Sequence, residues 1–252
     1  MGRNDALFQF LLRLGDNTLI LSHRVSQWCG HGPVLEEDIA LANTALDLIG
    51  QTQLWLGLAG EIEGNGRSAD DLAYLRDAWD FRNLLLVERP NGDFGQTMMR
   101  QFLFDAWQVL MLERLMGSGD ARVAAIAEKA SKEAAYHLER SSGTVIGLGD
   151  GTEESHRRMQ AALEDLWPYS GEMFVGDEVD EVLAQAGIAP DAGSLKEEWE
   201  QMVGNVLAEA TLSVPGAAYV QKGGKSGVHT EHLGFVLAEM QFLQRAYPGA
   251  SW

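Results

Sequence analysis

The sequence predicts an all-α protein, on three observations. Apolar residues recur every three or four positions through long stretches, which is the helical period. The six prolines are few and stand between those stretches. No sustained run of alternating β-branched residues offers a strand. With 252 residues, 46% hydrophobic and 22% charged, the chain has the length and apolar content for one domain with a large core.

The elements follow in order. Leu7, Leu11, Leu14, Thr18, Leu21, Val25 and Trp28 share one face of a first helix, stopped by Gly30 to Pro33. A second helix begins near Glu36 and Glu37, acids that suit a helix N-terminus. It runs to about Glu61 and is apolar on most sides, which predicts a central position. Asn65 to Ser68 break the pattern, and a short helix or loop extends to about Leu86. Pro90-Asn91-Gly92-Asp93 is a turn signal. Gly95, Met98, Phe102, Asp105, Val109, Leu112 and Met116 line a third helix, ended by Gly117 to Asp120. Val123, Ile126, Ala130, Glu133, His137, Ser141, Thr144 and Leu148 line a fourth, with Thr152 as N-cap of a fifth. An acidic stretch from Asp177, a helix over 194–212, a Gly-rich connector over 215–227 and a last helix over 231–247 complete the chain. Four long helices followed by shorter ones predict a ferritin-like four-helix bundle with additional C-terminal helices. The expectation is a single domain over 1–252, with a core bundle over about 4–148 and appended helices over about 153–247.

Charge interrupts the apolar faces. Asp105 lies between Phe102 and Val109, and Glu133 and His137 lie between Ala130 and Thr144. Asp47 shares a face with Asn43, Gly50 and Leu54, and Asp16 with Leu12, Ile20 and His23. A buried unpaired carboxylate is costly, so such groups should meet one another or a metal. A di-iron centre in this architecture takes one Glu from each of two helices and a Glu-x-x-His pair from each of the other two. Here Asp47 is followed at the third position by Gly50, and Glu133 by Tyr136. Asp16, Asp47 and Asp105 are each a methylene shorter than Glu, a loss of reach of about 1.5 Å. The expectation is a buried polar network of Asp16, Asn43, Asp47, Asp105, Glu133 and His137 without metal or catalytic residues. Solvated acids and an atypical metal site are the alternatives. The one Glu-x-x-His, Glu153 to His156, opens the fifth helix and reads as surface.

Other motifs are weaker. Gly223-Gly224-Lys225-Ser226 has Tyr219 where a Walker loop needs Gly, and no strand precedes it. Lys222 and Lys225 there suit either a mobile solvated loop, an interface, or contact with a phosphate. His229 and His232 at spacing three do not complete a zinc site, and Thr230 as a helix cap explains the pattern as well. The seven tryptophans read as core or interface anchors. The single cysteine, Cys29, excludes an internal disulfide, fits a reducing compartment and reads as a small buried hydrophobe. Early charges exclude a secretory leader and no apolar run reaches a membrane span, so a cytoplasmic location is expected. The net charge of −18 opposes binding to nucleic acid and to anionic lipid. It serves solubility or the choice of a basic protein partner.

Several stretches together carry a family resemblance: Leu14-Gly15-Asp16-Asn17, Gln27 to His31, Leu41-Ala42-Asn43 through Leu46-Asp47-Leu48, Asn83 to Glu88 and Pro90-Asn91-Gly92. Lys132-Glu133 with Tyr136-His137-Leu138, Gly224-Lys225, His229 to Gly234 and the ending Ala238-Glu239-Met240-Gln241 to Trp252 add to it. Over essentially its whole length the chain resembles the C-subunit family of the bacterial ring-1,2-phenylacetyl-CoA epoxidase. That resemblance implies a ferritin-like fold and a non-catalytic, structural role beside a homologous catalytic A subunit holding the di-iron centre. It further implies a reductase that passes electrons from NADPH, and aerobic phenylacetate breakdown as the setting. No cofactor is expected in this chain. The loop carrying Lys222 and Lys225 would then face an interface or the phosphates of coenzyme A. Alone, the chain is expected to be capable of homo-oligomerisation.

Overall fold

The computed structural model describes residues 1–216 and 219–250; Trp252 and part of the Gly-rich connector lie outside them. Among the described residues every regular element is helical, and the fold is of the all-α, ferritin-like class. The helices are α1 (Arg3–Ser26), α2 (Leu35–Glu63), α3 (Ala69–Tyr74), α4 (Leu85–Glu88), α5 (Phe94–Leu115) and α6 (Ala121–Gly149). After them come α7 (Glu153–Ser170), α8 (Glu178–Gln185), α9 (Lys196–Glu209), α10 (Glu231–Met240) and α11 (Phe242–Ala246). The chain forms two compact units: residues 1–90 with the stretch from Lys222 onward, and residues 91–221. This line of division differs from the expected one between 4–148 and 153–247.

In the first unit α1 and α2 pair along their length. Gly15 lets them close, because a Cβ there would run into Leu56, and Thr18 and Thr52 share a hydrogen bond of 2.8 Å across the seam. α1 is buried nearly all round from Ala6 to Val25, including Arg13, Asp16, Asn17 and Arg24. α2, expected to be central, is not. Leu35, Ile39 and Leu46 are 70%, 52% and 67% exposed. An apolar outer face and an apolar inner face look alike in sequence.

Residues 76–88 form a strap over α1. Arg82 reaches Gln9, the Leu84 N–H donates to Asn17 at 2.7 Å, and Arg24 donates to the Glu88 carbonyl oxygen at 2.7 Å. The C-terminal stretch closes over this strap. Gln241 donates to the carbonyls of Ala73 and Arg76, which ends α10 at Met240 and breaks the helix expected over 231–247.

In the second unit α5 and α6 pair, and α7 and α9 pack on them. Asp93, Asp120, Thr152 and Asp177 each cap the helix they precede, Thr152 as expected. α7 carries Pro168 within it, against the expectation that the prolines fall between helices. The Trp199 indole donates to the Leu103 carbonyl at 3.1 Å. Cys29, expected to be buried, is exposed in the turn after α1. Trp55 and Trp199 are core, whereas Trp79 is 75% exposed. No helix among the described residues is long and apolar enough to cross a membrane.

Candidate functional site

Asp16 is fully buried in the middle of α1. Its partner is a cation from its own chain: both terminal nitrogens of Arg76 donate to its two carboxylate oxygens, one of them at 3.0 Å. The Arg82 backbone N–H adds a third bond at 2.8 Å. Arg76 lies 4.3 Å over the Phe81 ring, and its Nε and Nη1 also reach the carbonyls of Leu72 and Asp80. A bidentate guanidinium with further bonds to backbone carbonyls is the arrangement that makes a buried ion pair tolerable. It also occupies the lone pairs that a metal would need.

On α2, Asn43 is exposed, next to exposed Leu46, and Asp47 is only half-buried. These two residues thus do not lie in a buried network as expected. Gly50 has open space where a Cβ would stand. The residues expected to look inward flank the outer apolar face instead.

In the second unit Asp105 and His137 are both buried. Asp105 accepts hydrogen bonds from Gln101 Nε2 at 2.7 Å and from Ser141 Oγ at 2.8 Å. Burial pushes its pKa up to about 6, against the lowering influence of the His137 imidazole and of these two bonds. The Gln101 amide oxygen has no partner in this arrangement. Turning that amide over would let it accept the proton of a neutral Asp105 carboxyl. Glu133 is half-buried, off the seam made by Ala127, Ala130, Ala134, His137 and Ser141. Tyr136, in the position where a ligand histidine would follow Glu133, is 54% exposed. Glu153 is exposed, and His156 turns back to the Gly149 carbonyl at 2.8 Å.

The most fully satisfied acid is one that the periodic pattern did not single out. Glu88, completely buried, accepts from Asn83 Nδ2 at 2.9 Å, from His229 Nδ1 at 2.8 Å, and from the Thr230 N–H and hydroxyl at 2.7 and 2.8 Å. His229 Nε2 meets the Phe81 carbonyl at 3.0 Å. Both ring nitrogens therefore face acceptors, and the imidazolium satisfies both. Burial lowers the His229 pKa, but the Glu88 bond and charge outweigh it and leave the pKa above its ordinary value. Thr230 stands at the N-cap position of α10, yet its hydroxyl goes to Glu88 and caps nothing. The glycines beside it have the same purpose. A Cβ on Gly224 would collide with the Asn83 carbonyl, and one on Gly227 with that of Trp79. The Gly-Gly-Lys-Ser segment is thus a docked turn, with Lys222 exposed and Lys225 half-exposed.

These side chains do not fit a di-iron centre. The acid on α1 is held by a guanidinium, those on α2 and α6 lie at the surface edge, and Asp105 is held by an amide and a hydroxyl. Among the described residues no three His, Cys, Asp or Glu side chains gather as a metal site would require.

A family model described as phenylacetic acid catabolic protein matches residues 1–252. The C subunit of the 1,2-phenylacetyl-CoA epoxidase of Escherichia coli (strain K12) is 51% identical over 248 residues, 98% of this chain and 100% of that protein.

Proposed function

This chain belongs to the phenylacetic acid catabolic protein family, and we propose that it is a non-catalytic structural subunit of a phenylacetyl-CoA 1,2-epoxidase in the cytoplasm. In this reading it pairs with a homologous A subunit that holds the di-iron centre and the substrate, while a reductase supplies electrons. One observation carries the non-catalytic part: Arg76 already neutralises Asp16, the one buried acid of the first helix pair among the expected ligands. The pairing is supported by the outer face of α2. Leu35, Ile39 and Leu46 recur at helical spacing on a long, rigid element and stay in water in the isolated chain. Exposed apolar rows of that kind mark interfaces, and an obligate partner would cover more than about 2,000 Å².

Its chemical contribution is mechanical. A preformed helix pair gives the catalytic partner a complementary wall, fixing that partner's own bundle and excluding water from the contact. Coexpression with the A subunit tests this. The expected result is coelution at micromolar concentration, lost in a Leu35→Ser, Ile39→Ser, Leu46→Ser variant, with iron found in the partner alone. About two irons per copy of this purified chain would instead make it a di-iron oxygenase with atypical ligands. Lys222 and Lys225 remain a proposed contact to the coenzyme A phosphates; Lys225→Ala should then raise the KM of the complex without lowering its melting temperature.

A further inference from the structure

A second unfilled surface lies on the first unit, where the C-terminal stretch closes over the strap. Between residues 77–78 and the pair α10–α11 a groove of about 540 Å³ opens, lined by Ala78, Gly234, Leu237, Ala238, Phe242 and Arg245, among others. Phe242, which lines it, is 60% exposed, and the chain neighbours of two other lining residues are large apolar side chains in water: Phe235, next to Gly234, is 66% exposed and Trp79, next to Ala78, 75%. On α10 the exposed residues Glu231, Gly234, Phe235 and Ala238 follow the i, i+3, i+4, i+7 spacing of a single face. Nothing in the α2 face or the buried acids requires these side chains to be apolar.

Acids outnumber cations around the groove, four to two. Asp77 and Asp80 flank Trp79, and Glu231 and Glu239 are exposed on α10. Two cations stand among them, one of them paired with Asp77. Arg245 donates to Asp77 at 2.9 Å and to the Arg76 carbonyl at 2.7 Å, and Arg82 donates to Gln9 and to the carbonyls of Trp79 and Phe81. A second copy would set this acidic rim against itself, within a chain already at −18. An anionic membrane is repelled for the same reason. The floor is firm, because Gln241 and Arg245 tie it to the carbonyls of residues 73–76.

We propose that this groove is a docking site for a basic amphipathic helix of a partner protein. Such a helix would lay an apolar stripe over Phe235, Phe242 and Trp79 and set lysines or arginines against Asp80 and Glu231. Helix-in-groove recognition uses this combination, with the apolar anchors setting affinity and the charged rim setting orientation and encounter rate.

The test uses the full chain and a fluorescein-labelled synthetic helix of leucines at i, i+3, i+4, i+7 spacing with lysines between, read by anisotropy near physiological salt. The control is the same composition scrambled, which keeps the charge and loses the stripe. The patterned helix is expected to bind at least about tenfold more tightly than the scrambled one. A Phe235→Ser, Phe242→Ser variant should lose that margin with its melting temperature unchanged. The emission of Trp79, isolated by comparison with Trp79→Phe, should shift to the blue on binding. Leu46→Ser on α2 should leave the affinity as it was, so that failure here and failure of the α2 pairing are told apart. Equal binding of the scrambled peptide, or indifference to the double variant, overturns the proposal. So does self-association through this face in sedimentation, or preference for vesicles of anionic lipid.

Discussion

Asp105 titrates in a place that makes its charge expensive. Its folded pKa of about 6 lies above the ordinary 3.8, so the native state holds a proton that the unfolded chain has released. Stability from this group is complete below pH 4 and is lost as pH rises through about 6, a loss of about 3 kcal/mol. Asp105→Asn removes the titration. Urea midpoints of the two proteins should therefore converge near pH 4 and separate in favour of the variant by pH 7; a constant difference across that range would refute the assignment. Arg76 poses the complementary problem, a charge whose loss strands its neighbour. Arg76→Ala should cost roughly 3–5 kcal/mol, and adding Asp16→Asn should return much of it, because the buried carboxylate is then gone. Denaturation of the four proteins of that cycle measures the coupling. A single-variant cost under about 1 kcal/mol would show that Asp16 finds its compensation elsewhere.

At the level of elements, two of the three glycines of α2 make opposite demands. Gly57 has open space around a would-be Cβ, whereas Gly60 faces the Arg67 carbonyl. Gly57→Ala should stabilise the isolated chain by about 0.5–1 kcal/mol through helix propensity, and Gly60→Ala should destabilise it. Thermal melting separates the two, and a loss from Gly57→Ala would contradict the open face. The same helix shows what was legible. The bounds of α1, α2, α5 and α6 follow from apolar period and stop signals, because those forces are local. The orientation of α2 is not legible, since a helix apolar on most sides gives no direction: Asn43 is exposed and Asp47 half-buried, where the pattern predicts both inward. Glu133 departs less from its expected place: the seam of α6 runs through Ala134 and His137, with Glu133 at its edge. The strap left no periodic trace at all. Its anchors are single side chains reaching backbone groups many residues away, as Asn17 does to Leu84 and Gln241 to Ala73. Glu88 sits in a four-residue helix too short to show a period.

For the whole molecule, the first unit is discontinuous in sequence and the second is not. Removing residues 222–252 takes His229, Thr230, Gln241 and Arg245 from the strap at once, leaving Asn83 alone donating to the Glu88 side chain. Amide exchange in α1 and α2 should then quicken far more than in α5 and α6; equal change in both would mean that the C-terminal closure is not what holds the strap. The same discontinuity bears on synthesis. A ribosome adding about 5–20 residues per second must translate all of residues 91–221 after Pro90 before it reaches Lys222. For about 7–26 s the nascent chain holds a half-finished fold whose acid at position 88 awaits an imidazole not yet made.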